Sequence, residues 1–86
     1  MGDYRIFFKK SVEKDLNRIA KNELKKIIAR ITALADDPRP PGSEKLTGSE
    51  RYRIRQGRYR IVYSIQDYEL TIWVVKVAHR KDVYKT

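Results

Sequence analysis

The sequence predicts an α+β fold in the order β-α-α-β-β-β, a small, mainly antiparallel sheet with a two-helix hairpin packed on one face. Three observations lead there. Apolar side chains between Val12 and Ala35 recur at helical spacing, the region after Gly48 alternates as strands do, and a Pro/Gly-rich stretch separates the two. The 86 residues suffice for one modest core, so 1–86 is read as a single domain.

Each element has its own signal. Tyr4 to Phe8 is a short β-rich run, and Ser11 then offers a helix N-cap, with Glu13 in the first turn where an acid suits the helix dipole. Val12, Leu16, Ile19 and Ala20 fall on one helical face. Asn22 is the predicted cap of a second helix, in which Leu24, Ile27, Ile28, Ile31, Leu34 and Ala35 form an apolar stripe until Asp37-Pro38 stops it. One uninterrupted helix from Val12 to Ala35 is the alternative, but the apolar phase shifts around Lys21-Asn22, which favours a break. Arg39 to Gly48, with Pro40-Pro41-Gly42, reads as a loop anchored by Leu46. Two strands of a hairpin follow, the second reaching about Ile65. A turn at Gln66-Asp67 leads to a last strand, Leu70 to Ala78, whose apolar character on both faces predicts an interior place in the sheet.

The hairpin carries the strongest functional signal. Arg51 to Arg60 reads RYRIRQGRYR, with five arginines and no acid. Strand alternation puts Arg51, Arg53 and Arg55 on one face and Tyr52 and Ile54 on the other. With Gln56-Gly57 as a two-residue loop, Arg55 would oppose Arg58, Arg53 would oppose Arg60 and Arg51 would oppose Val62. Tyr52, Ile54, Tyr59, Ile61 and Tyr63 would then face the helices and leave the arginines on the free face. Like charges across strands destabilise a hairpin by an amount comparable to the roughly 0.2–1 kcal/mol that favourable pairs contribute. A solvated face of a basic protein is the plainer reading. A polyanion laid over the face would turn the repulsion into affinity, and guanidinium matches phosphate oxygens two at a time.

Composition narrows the function classes. Twenty Lys and Arg against eleven Asp and Glu give a net charge of +9, which favours nucleic acid or an acidic protein as partner. No apolar run approaches the roughly 20 residues of a spanning helix, and Met1 to Phe8 lacks a secretory core, so a cytoplasmic protein without membrane contact is expected. The absence of cysteine removes disulfides, thiolate catalysis and zinc-thiolate sites. A single histidine leaves no His-rich metal site, so neither a metal nor a small-molecule cofactor is expected.

After the last strand comes His79-Arg80-Lys81-Asp82-Val83-Tyr84, a titratable cluster at a strand end, where side chains can converge on a cleft. A basic tail fraying into solvent is the bland alternative. Taken together, YRIFFKKSVEKDL, ALADDPRPPGSEKLTG, YRIRQGRYRIVY and VAHRKDVY resemble, in order and length, a RelE-type toxin of the RelE/ParE superfamily. The resemblance implies a small microbial-ribonuclease-like fold. It also implies an endoribonuclease (mRNA interferase) that cuts messenger RNA in the ribosomal A site, against 16S rRNA, until a cognate RelB-like antitoxin masks it.

By the same resemblance the family's basic site residues fall on Arg53 and Arg55, where the best-known members have lysine, and on Arg60 and Arg80, with Tyr84 as the terminal tyrosine. His79 belongs to a GHR-type pattern in which Ala78 replaces the usual glycine. Arg51, Arg58, Lys45 and Lys81 are candidate RNA-phosphate contacts. The implied chemistry is attack by a ribose 2′-hydroxyl on its neighbouring phosphate, which needs no metal and no protein nucleophile. It needs charge stabilisation, for which Arg53, Arg55, Arg60 and Arg80 are the candidates, and groups that accept and return a proton. Arginine does not deprotonate, so the acceptor is sought at Tyr84 first and His79 second. Two other readings stand beside this one. A ParE-like toxin acting on DNA gyrase would share the scaffold, but such toxins generally lack the full basic set and the terminal tyrosine. A non-catalytic RNA-binding module would need aromatic rings on the arginine face, and alternation turns Tyr52 and Tyr59 away from it.

Overall fold

The computed structural model describes residues 3–48 and 50–80. Strand β1 is Arg5–Phe8, helix α1 is Lys10–Asn17 and helix α2 is Lys21–Ala33. A two-residue strand β2, Glu44–Lys45, precedes β3 (Arg51–Gln56), β4 (Tyr59–Gln66), a 3-10 turn at Asp67–Glu69 and β5 (Thr71–His79). The sheet order is β1-β5-β4-β3-β2, with β1 parallel to β5 and the other pairs antiparallel. This is the predicted α+β architecture with one strand more than expected, because Glu44 and Lys45 pair with Arg53 and Tyr52 inside the segment read as a loop.

Tertiary contacts move both helix starts. The Lys9 amide donates to the Val74 carbonyl at 3.1 Å, so the chain leaves β1 directly into α1. Lys9, not Ser11, is the N-cap, and no side chain caps it. The predicted break is present but lies earlier, at Arg18 to Ala20, where Ile19 turns into the core. Ala20, not Asn22, begins α2. The stripe past Ala33 closes in tight turn bonds from Leu34 to Asp37 before Pro38.

The core lies between the helices and one sheet face. Val12, Ile19, Ile27, Ile31 and Leu34 meet Ile54, Ile61, Tyr63, Ile65, Ile72, Val74 and Val77. Ile61, Tyr63 and Ile65 alternate along β4, as a half-covered strand requires. Val62 and Ala78 are buried as well, but on the opposite side and outside this cluster. A bulge at Val62/Tyr63 gives β5 an extra residue, since Tyr63 pairs with Val74 while Val62 pairs with Lys76.

The hairpin register differs from the expected one. Gln56 pairs with Tyr59, and the two-residue loop is Gly57-Arg58. Gly57 has φ 60, and the first position of a type II′ hairpin requires such a residue; the expected loop would have put Gln56 there. Arg55 therefore faces Arg60, Arg53 faces Val62 and Arg51 faces Ser64, while Arg58 sits in the turn. The correction is by two residues, an even number, so each side chain stays on its predicted face.

The α2–β2 connection is tied to the sheet at several points. The Tyr63 hydroxyl donates to the Pro38 carbonyl at 2.6 Å, and burial pushes the phenol up to about 12. Arg39 donates to Asp67 Oδ2 at 3.0 Å and, through Nε, to the Tyr52 hydroxyl at 3.0 Å; Tyr4 donates to Asp67 Oδ1 at 2.8 Å. Tyr63→Phe keeps the ring and leaves a part-buried carbonyl without its donor. Thermal unfolding should show a loss of about 1 kcal/mol, and an unchanged midpoint would show that the bond contributes nothing net.

Candidate functional site

The open face of the sheet is assembled by the same alternation that builds the core. Arg51, Arg53 and Arg55 project from β3 and Arg60 from β4, on the side away from the helices. Arg60 is only 7% exposed, an unusual setting for a residue that is almost never buried without a partner. A small concavity beside it is lined by Gly42, Glu44, Arg53, Ile54, Arg55 and Arg60. Arg80 joins the same end of the sheet. Its amide donates to the Arg58 carbonyl at 2.7 Å, which carries the β4–β5 pairing one step beyond Tyr59 and His79.

Sequence reading missed Glu44. The hairpin alone contains no acid, but β2 sets Glu44 opposite Arg53, and its Oε2 accepts from Arg53 Nη2 at 2.7 Å. The carboxyl is held below its usual range by that hydrogen bond first and by the Arg53 charge next, with Arg55 and Arg60 adding to the effect. The only local signal was its position, seven residues before Arg51 in a stretch that looks like loop. A two-residue strand leaves almost no periodicity to read.

The same pairing displaces Lys45. It lies opposite Tyr52, whose ring packs against the core, so Lys45 belongs to the other side of β2 and not to the arginine face. His79 is also turned away. It pairs with Tyr59 and meets that ring edge-on, centroids 5.6 Å apart, on the helix side of the sheet. An even number of residues separates His79 from Val77, which points into the core, so alternation sends both the same way. Arg58 is exposed in the hairpin turn. Tyr84 and Lys81 lie outside the described residues.

Tyr52 and Tyr59 pack against the core as alternation predicts; Tyr52 stacks on Tyr63 at 6.0 Å and lies under the Arg39 guanidinium. They cannot also serve as a base platform on the arginine face. No helix among the described residues is long and apolar enough to cross a membrane.

The site is thus a concave array of guanidinium groups at one end of an open sheet face, with one carboxylate set into it. Such an array can hold two phosphate oxygens or the extra charge of a pentavalent phosphorus. Comparison with known proteins agrees in extent and shape. Residues 6–84 match the family described as ParE toxin of type II toxin-antitoxin system, parDE. RelE1 of Methanocaldococcus jannaschii is 30% identical over 86 residues, covering 95% of this chain and 96% of that protein. Toxin RelG of Mycobacterium tuberculosis is 27% identical over 86 residues, covering 95% and 97%. The fold superposes on a chain of the archaeal RelE-RelB complex from Pyrococcus horikoshii OT3 with a TM-score of 0.78 at 28% identity, covering 90% of this chain and 94% of that one. With its order of elements, its arginine face and these matches over nearly its whole length, the chain belongs to the RelE/ParE superfamily of type II toxin-antitoxin toxins as a RelE-type member.

Proposed function

We propose that this toxin is a ribosome-dependent endoribonuclease that cuts messenger RNA in the A site by attack of a 2′-hydroxyl on the adjacent phosphate. The observation that carries the reading is the facing pair Arg55 and Arg60, with Arg53 beside it and Arg80 at the same sheet end. Facing like charges are the wrong choice for a hairpin and the right one for a phosphorane. In this mechanism Arg55 and Arg60 take the non-bridging oxygens. Glu44 is the carboxylate at hand to accept the 2′-proton, with Arg53 holding it. Tyr84 remains the candidate that the family resemblance supplies. A carboxylate held below its usual range is a weak base, so its contribution to the rate is small and positioning by the ribosome must supply much of the remainder. Dependence on the ribosome follows from that deficit.

Primer extension on programmed ribosomes tests this directly. Cuts inside A-site codons are expected, reduced roughly 10²–10³-fold by Arg60→Ala or Arg80→Ala, as for loss of one transition-state donor, and weakened by Tyr84→Phe and Glu44→Gln. Growth arrest without any cuts would move the assignment to gyrase inhibition.

The state of Glu44 can be read separately. Carbon-detected NMR of the free protein should show its carboxyl titrating below the ordinary value of about 4.3 and returning toward it in Arg53→Ala. The ion pair is complete above the ordinary range and is lost as pH falls through the lowered pKa. A normal titration would remove the pair from the description.

A RelB-like antitoxin with an acidic segment over the arginine face is the expected partner, since the +9 charge suits it and the Pyrococcus horikoshii relative is found with RelB. Its affinity should fall steeply with salt. A salt-independent complex that leaves Arg53, Arg55 and Arg80 open to solvent would contradict the electrostatic part.

A further inference from the structure

A second concavity on the open face lies away from Arg60, on the β1 side. It is a groove of about 420 Å³ lined by Lys9, Glu50, Arg51, Ser64, Trp73 and Val75. That volume falls within the roughly 300–1,000 Å³ of small-ligand clefts. Trp73 stacks on its register partner Phe7, ring centroids 5.1 Å apart and planes 27° apart. Phe7 is 42% exposed, and neither ring belongs to the core beneath the helices. Each ring limits the other's freedom, so the pair offers a pre-ordered aromatic surface at little entropic cost.

The setting says what such a surface would take. Arg51 reaches the groove from the strand that carries Arg53 and Arg55. It lies four residues from Arg55, about 13 Å at the usual strand rise. Ser64, another lining residue, is the register partner of Arg51. The groove is therefore the continuation of the arginine surface along β3. A strand of nucleic acid whose phosphates lie on Arg53, Arg55 and Arg60 would bring a neighbouring nucleotide over it. Positive charge from Lys9 and Arg51 suits the backbone. Glu50 repels phosphate but accepts from the exocyclic amine of a base, which favours a base over a phosphate in the groove. An apolar helix of a protein partner would cover the rings but would match neither the charge of Lys9 nor that of Glu50.

We infer that Phe7 and Trp73 form a stacking subsite for a base of single-stranded RNA flanking the phosphate held by Arg55 and Arg60, with Arg51 and Lys9 on its backbone and Glu50 facing its amino edge. This rests on the reading of the open face as an RNA surface. Stacking tolerates every base because each has a π face, while Glu50 adds a preference for bases with an amino group.

Trp73 is the sole tryptophan of the chain, so its emission reports on the groove without any mutation. The full chain is titrated with a short 2′-O-methyl oligoribonucleotide, which binds but cannot be cut, and binding is followed in parallel by anisotropy of a label on the oligomer. Saturable quenching of Trp73 is expected, and an oligomer with abasic nucleotides should bind without it. Phe7→Leu should weaken binding about tenfold, the scale of one lost base stack. Glu50→Gln should reduce the advantage of cytosine over uracil oligomers. Oligomer bound with Trp73 emission unchanged, or quenching by an acidic amphipathic peptide and not by RNA, overturns the subsite. Wild-type cleavage on programmed ribosomes separates the two readings. Cleavage with unquenched Trp73 removes the subsite alone, whereas quenching without cleavage removes the nuclease reading and leaves the subsite standing.

Discussion

Burial of Ile54, Ile61 and Tyr63 against the helices holds the remaining structure in place. These residues are 1% exposed or less, and fully burying such a side chain contributes about 1.5–3 kcal/mol. Because strand side chains alternate, sliding β3 or β4 by one residue would send the whole apolar set into water and the arginines into the core. Repulsion between Arg55 and Arg60 costs at most about 1 kcal/mol, the scale of one cross-strand pair, so the core prevails by a wide margin. The arginine face is thus a consequence of the core: along β3 and β4, Ile54, Ile61, Tyr63 and Ile65 go toward α1 and α2, which leaves Arg51, Arg53, Arg55 and Arg60 on the other side.

The loop between α2 and β3 brings a carboxylate, Glu44, to the Arg55–Arg60 end of the face. Tyr63 and Arg39 tie its first residues to the sheet, through Pro38, Tyr52 and Asp67. Its later residues are thereby led along the β3 edge, where Glu44 and Lys45 pair with Arg53 and Tyr52. Glu44 relieves part of the charge crowding by pairing with Arg53 and leaves Arg55 and Arg60 facing each other. One partly exposed ion pair is worth little to stability, so its effect lies in setting a single carboxylate beside Arg55 and Arg60.

The open face is also not uniform. Its Arg55–Arg60 end is cationic and concave, and its β1 end is aromatic, with Trp73 and Val75 lining a groove together with Arg51, and Phe7 stacked on Trp73. The bulge in β5 contributes to this, since the extra residue Val75 joins Trp73 in lining the groove. Phosphate-holding and base-holding chemistry would then occupy two ends of one strand direction. A surface with that polarity reads a single strand in a defined direction, and a uniform basic patch does not.

Most of the fold was legible because it rests on local pattern. Helical and strand periods, the Pro-Gly stretch and the alternation of arginine with Tyr and Ile are properties of neighbouring residues, and they settled the element order and which side chains share a face. The family resemblance added roles for Arg53, Arg55, Arg60 and Arg80, which the sheet brings to one end. What depended on distant partners was not legible. The hairpin register turned on which residue takes positive φ, the helix starts on where Lys9 and Ile19 find tertiary partners, and β2 on an edge pairing only two residues long. That Lys45 and His79, expected as a phosphate contact and a proton acceptor, lie off the arginine face, and that Glu44 was absent from the expected site, share one physical cause: a residue's side of a sheet follows from pairing with a strand elsewhere in the chain, and sequence alone reports periodicity but not the partner.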